Sequence, residues 1–215
     1  MSTLTATRGD PVAEPGGEPG GEPDDRWLWS RLAEADDAAL TALYRRHCDA
    51  VHNFAFRRTA SWAAAEDVVQ ATFTAVWRRA RTGSVDPLRA ETARAVLLVM
   101  AGQECANVAR TARRQRLLRG RIEADAGGAV SADHAASTAA RVDDERQMSE
   151  VRRALQRIPA VQREAIELVV WSHCSLAEAA DALGVAVGTV KSRLHRARRS
   201  LTDVIEIDAL EEDLS

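Results

Sequence analysis

Aromatic residues make up only 4% of this chain, and β-branched runs are missing. Sheets are therefore disfavoured, and a sequence this rich in Ala and Leu defaults to helix. Cysteine occurs three times, as Cys48, Cys105 and Cys174, widely spaced and without a CxxC pair. That excludes a disulfide framework and a structural zinc site and leaves reduced, buried thiols of a cytoplasmic protein as the expectation. No apolar run approaches the ~18 residues of a membrane span, so no membrane partner is expected. The N-terminus lacks the apolar stretch of a signal peptide and carries the low-complexity repeat EPGGEPGGEP instead. Lysine occurs once, at Lys191, against 28 arginines, which reads as coding bias rather than chemistry.

Catalytic constellations are missing as well. There is no carboxylate pair, nucleophile triad or phosphate-binding glycine loop, so no enzyme and no cofactor is expected. The segment HCDAVH offers His47, Cys48 and His52, and SHC offers His173 and Cys174. His47 and His52 stand five apart, so on a helix they diverge and do not converge on one metal. His47 falls on an apolar stripe and reads as a core or edge histidine.

What remains is globular: 46% hydrophobic and 28% charged residues over 215 positions. The net charge of −3 hides a segregation. Residues 26–118 carry fifteen arginines against nine acids, and residues 151–201 carry nine cations against four. Residues 1–25, 119–150 and 202–215 are acidic. Two modules facing a polyanion explain this arrangement, and a pair of ordinary solvated domains explains the charge alone equally well.

The periodicity predicts ordered helices from about Trp27. Leu40, Leu43, Tyr44, His47, Val51, Phe54 and Ala55 recur at helical spacing over 37–57. Ser61 is placed to cap the next helix, with Glu66 and Asp67 in an acidic first turn and Val69, Phe73, Val76 and Trp77 on one face. A third helix is expected over about Leu88 to Leu118, apolar first and basic from Arg110 to Arg116. Residues 119–142 lack sustained periodicity and read as a flexible linker. A second block follows from about Asp143: a helix stopped at Pro159, another over 161–171, a capping box in SLAE and Gly184 closing the helix it opens. The expected fold is all-α: two small helical domains, 26–118 and 143–201, on that linker, between a disordered extension, 1–25, and an acidic tail, 202–215.

The stretch GVAVGTVKSRLHRARRSL, from Gly184 to Leu201, is the most telling. At ~100° per residue Val187, Val190, Leu194, Ala197 and Leu201 form one stripe, while Thr189, Ser192, His195, Arg196 and Arg199 lie opposite. A short helix, a glycine turn and this second helix make a helix-turn-helix, whose N-terminal end enters the major groove. An amphipathic helix solvated by arginine is the plainer alternative, but capping box, turn glycine and basic face coincide.

Residues 155–201, LQRIPAVQREAIELVVWSHCSLAEAADALGVAVGTVKSRLHRARRSL, resemble region 4 of the extracytoplasmic-function (ECF) sigma factors of bacterial RNA polymerase. Residues 39–80, with AEDVVQATF, resemble the start of sigma region 2. The resemblance implies a factor that is not an enzyme, binds core RNA polymerase and directs it to promoter DNA. Region 4 then reads the −35 element through Thr189, Lys191, Ser192, Arg193, His195, Arg196 and Arg199, with Arg198 and Arg199 on phosphates. Region 2 engages the −10 region through Asn107, Arg110, Arg113, Arg114 and Arg116. Asp67, Gln70, Phe73 and Trp77 correspond to the helix that docks on the coiled coil of the largest polymerase subunit; the flap of the second-largest subunit is the other contact. The segment AVLLVMAGQECANVARTARRQRLL departs from the family: Val96 stands for a Trp, Gln103 for an Asn and Asn107 for an Asp, which puts the pocket for a flipped base in doubt. An anti-sigma factor is a possible partner. The acidic tail DVIEIDALEEDLS is either a frayed end or a segment that folds back on a basic face. A stand-alone helix-turn-helix regulator, or a sigma-like protein with weakened melting, is the competing reading.

Overall fold

The structure is a computed structural model that describes residues 22–123 and 139–212, with side chains over 22–115 and 140–202. The expected disorder of residues 1–21, the linker centre 124–138, residues 213–215, the tail side chains and the Arg116 side chain lie outside the described residues.

Short acids start the first helices. Asp24 accepts the Trp27 N–H at 2.7 Å and opens α1, Asp25–Ala33. Asp36 accepts the Ala38 N–H at 2.9 Å and opens α2, Asp37–Thr59, while its other oxygen takes a bond from Arg31 at 3.0 Å. Such caps satisfy N–H groups that a helix cannot bond itself. Ala60 closes α2 in the left-handed conformation at φ 54°. Ser61 caps α3, Trp62–Arg81, as its position predicts. The first turn of α3 holds no acid, however; Glu66 and Asp67 sit one turn later, where the helix dipole is weak.

The third long helix, α4, runs Arg94–Glu123 rather than from Leu88. Its expected first turn is a loop pinned from outside. Trp29 donates its indole N–H to Asp86 O at 2.9 Å, and Arg26 donates to Ala90 O at 3.0 Å and Arg89 O at 2.9 Å. Asp25 completes the anchor. Its carboxylate is 4% exposed and meets Arg46 at 2.6 Å, His47 Nε2 at 2.7 Å, the Ala93 N–H at 2.7 Å and Thr92 Oγ1 at 2.8 Å. It thus ties α1, α2 and the start of α4 together, and His47 is a buried histidine with a carboxylate partner.

The second block comprises α5, Ala139–Gln156, α6, Ala160–Ile166, a π-helical turn, Glu167–Trp171, α7, Leu176–Leu183, and α8, Val187–Glu212. The expected helix over 161–171 is therefore α-helical and then π-helical, and α8 continues past Leu201. No strand occurs among the described residues.

Leu32, Leu43, Val51, Val68, Val76, Leu97 and Leu98 are fully buried and form the centre of α1–α4. Leu155, Ile158, Ile166 and Ala197 form a smaller core in the second block. Ala165, Leu168, Cys174, Ala179, Ala180 and Val190 join the first core instead. The two blocks are thus packed together through α4 against α7 and α2 against α5. Helical periodicity shows that a face is apolar but not which partner covers it, so this packing was not readable from sequence spacing.

Candidate nucleic-acid interface

The helix-turn-helix is built by local bonds. Ser175 Oγ accepts the Glu178 N–H at 3.2 Å, and Glu178 Oε2 accepts the Ser175 N–H at 2.7 Å, which completes the capping box at the start of α7. Gly184 takes φ 64°, with its N–H on Asp181 O at 3.2 Å and the Val185 N–H on Ala180 O at 3.0 Å. A side chain would strain that conformation. The turn launches α8, whose Val190 and Ala197 are fully buried and whose Leu194 and Leu201 are half-buried. Val187, expected on the packed stripe, is 40% exposed, because it is the first residue of α8 and projects beyond the core.

Away from that seam, His195, Arg196 and Arg199 are exposed, Lys191 and Arg198 are exposed on its flank, and Thr189, Ser192 and Arg193 are half-buried. Ser192 Oγ donates to Thr189 O at 2.9 Å, so its hydroxyl hydrogen is used within the helix. Neither Lys191 nor Arg196, Arg198 or Arg199 pairs with a carboxylate among the described residues. Unpaired cations on one helix face, behind a capped turn, are free to neutralise phosphates.

In the first block Asn107, Arg110, Arg113 and Arg114 are exposed along α4. Asn107 donates to Glu104 at 3.0 Å and accepts from Arg110, a surface chain at i, i+3 spacing. Val96 and Gln103 line a groove of about 570 Å³ whose far wall is α7, with Glu178 and Asp181. On α3, Asp67 and Gln70 are exposed and Trp77 is half-buried. Phe73 is 6% exposed, its ring edge-on to Tyr44 at 4.9 Å, so it supports that face from below.

Residues 43–115 match the family description Sigma-70 region 2, and residues 148–201 match Sigma-70, region 4. The ECF RNA polymerase sigma factor SigL of Mycobacterium tuberculosis is 33% identical over 172 residues, 80% of this chain and 92% of the relative. This chain belongs to the ECF sigma factors. SigK of Mycobacterium sp. (strain KMS) is 28% identical over 178 residues, 83% of this sigma factor and 89% of the relative. Among solved structures, CnrH in complex with the cytosolic domain of CnrY aligns with TM-score 0.59 and 26% identity, covering 86% of this chain and 98% of that one. The sigma factor is therefore a transcription-initiation protein that acts with core RNA polymerase on promoter DNA. No described helix is long and apolar enough to cross a membrane.

The residues that join the two blocks were missed from sequence. Arg57 donates to Trp171 O at 2.5 Å and lies over that indole, 5.8 Å from its centroid. Arg58 reaches Glu167 at 3.3 Å, and Glu145 accepts the Trp62 N–H at 2.9 Å. One signal was present: Glu167 is an acid set directly before the apolar run LVVW, one turn after Arg163.

Proposed function

We propose that α8 reads the −35 element of promoters and that the basic, exposed stretch of α4 engages the −10 region, while the factor borrows its catalysis from polymerase and is not an enzyme. The observation that carries this reading is the unpaired cationic face of α8, Lys191 to Arg199, set behind the capped turn of Ser175 and Gly184. Thr189, Lys191, Arg193, His195 and Arg196 are the base readers, with Ser192 available as an acceptor; Arg198 and Arg199 hold phosphates. Asn107, Arg110, Arg113 and Arg114 contact the −10 strands, and Arg116 continues their series in the sequence. Asp67, Gln70 and Trp77 form the surface for the largest-subunit coiled coil, backed by Phe73. The region 4 block meets the flap. The protein works in the cytoplasm, where its polymerase is.

A protein partner of the anti-sigma kind is part of this proposal, because CnrH, aligned over 98% of its length, is seen in complex with the cytosolic domain of CnrY. Promoter pull-down with core polymerase tests the reading. Alanine at Arg196 is expected to lower affinity for the preferred −35 sequence by ~1–3 kcal/mol and relax preference at one base pair. Equal loss on every sequence would move Arg196 to the phosphates.

A further inference from the structure

Of the three polar contacts named above that join the blocks, one is unlike the others. Glu167, the first residue of the π-helical turn, has a side chain 3% exposed. Arg58 of α2 reaches it at 3.3 Å and Arg163 of α6 at 3.8 Å, yet its Oε2 makes no hydrogen bond. Arg58 gets there by crossing α4 at Gly102, where an added Cβ would stand 2.5 Å from its guanidinium. Gly102 stands in the interior of α4, where alanine is normally favoured. Cys105, one turn further along α4, feels both Arg58 and Glu167 and is 6% exposed.

The packed arrangement is incompatible with two-point promoter binding. The −35 and −10 elements are about 25 base pairs apart, or ~85 Å at ~3.4 Å per step. A compact fold of this length has a radius of gyration of ~17 Å and measures roughly 45 Å across. Packing also places Glu178 and Asp181 of α7 across the groove from Val96 and Gln103, where they repel phosphate.

We propose that Arg58, passing over Gly102 to the buried Glu167, is an interdomain latch that holds this sigma factor in a self-restrained, closed form until the two modules part. The inference rests on the two-module reading given above. The latch is weak by construction. A buried carboxylate is costly, and an imperfectly bonded ion pair offsets only part of that cost. Burial pushes the Glu167 carboxyl up to about 7 from 4.5, against the pull of Arg58 and Arg163 and with Glu164 adding to the rise. Removing Arg58 leaves the Glu167 carboxylate buried with Arg163 alone, and neutralising Glu167 leaves the Arg58 guanidinium, 16% exposed, without its partner. Either single change therefore loosens the packed form, and because both break one pair their effects do not add, which separates a latch from two independent packing contacts.

The test is thiol labelling of the full chain without polymerase at pH 8, read for each cysteine by mass spectrometry, with helicity checked by circular dichroism. Cys105 and Cys174 are buried, Cys105 beside Glu167 and Cys174 beside Arg94 of the opposite block, and Cys48 is partly open, so Cys48 serves as the internal reference. In the unaltered chain Cys48 reacts first. Arg58→Gln, Gly102→Ala and Glu167→Gln each speed labelling of Cys105 relative to Cys48 by about tenfold or more, the equivalent of one pKa unit, and the double variant Arg58→Gln with Glu167→Gln speeds it by clearly less than the product of the two single effects. Equal rates for all three cysteines in the unaltered chain overturn the latch. So do single variants that label no faster than the unaltered chain, or a double variant whose effect is the product of the single ones. Promoter-dependent transcription with core polymerase is scored separately, so its absence sinks the sigma reading and leaves the labelling result to judge the latch.

Discussion

Asp25 is a single carboxylate that serves three elements. Burial alone raises its pKa, but hydrogen bonds from His47, the Ala93 N–H, Arg46 and Thr92 outweigh this and hold the carboxyl well below its ordinary 3.8. Such a group contributes stability above the unfolded value and loses it as pH falls through the acid range. Asp25→Ala is expected to cost ~3 kcal/mol in denaturant unfolding, because it strands the buried His47 ring and the Ala93 N–H, while Arg46 keeps Glu22 and Pro23 O. Asp25→Asn is expected to flatten the acid limb of a stability–pH curve, and an unchanged limb would place acid sensitivity elsewhere. At the surface the same electrostatics favours DNA. Arg198→Ala is expected to weaken binding alike on all sequences and to reduce the salt slope by ~1, whereas Arg196→Ala leaves a base-specific deficit. Binding isotherms at several salt concentrations separate the two.

At the scale of elements, the helix-turn-helix depends on its cap. Ser175→Ala removes one half of a reciprocal box and is expected to destabilise the second block by ~1 kcal/mol, seen as a lower thermal midpoint, while Ser175→Asp retains most of it. On α3, Asp67→Ala and Gln70→Ala leave the core untouched, since both are exposed. They are expected to weaken association with core polymerase without shifting the thermal midpoint, and co-sedimentation checks it. Much of this layer was legible in the sequence, because caps and glycine turns are local chemistry: Ser61, the Ser175–Glu178 box and Gly184 stand where their neighbours put them. The start of α4 was not legible, since bonds from Trp29 and Arg26, some sixty residues away in sequence, hold its expected first turn as loop. Asp25 looked like the end of an acidic tail for the same reason: its partners are distant. Among the site residues, exposure of Lys191, Arg196 and Asp67 followed from helical phase. Phe73 is buried on the apolar face where its phase puts it, but Val187 is not, because phase alone ignores where a core ends.

For the whole molecule, alternating acidic and basic blocks turn a nearly neutral chain into two cationic modules. Their mutual packing hides neither α8's cations nor the exposed arginines of α4, yet a compact fold of this length, roughly 45 Å across, is shorter than the spacing of the two promoter elements. Function therefore requires a scaffold that separates them, and a sigma factor finds that scaffold in polymerase. The most direct measurement is run-off transcription with purified core RNA polymerase on genomic fragments, with start sites mapped. The account predicts factor-dependent transcripts from sites sharing one −35 and one −10 sequence at fixed spacing, lost when Lys191 and Arg196 are replaced by alanine. Tight binding of this chain to operator DNA as a dimer, with no transcript above the core-enzyme background, contradicts it.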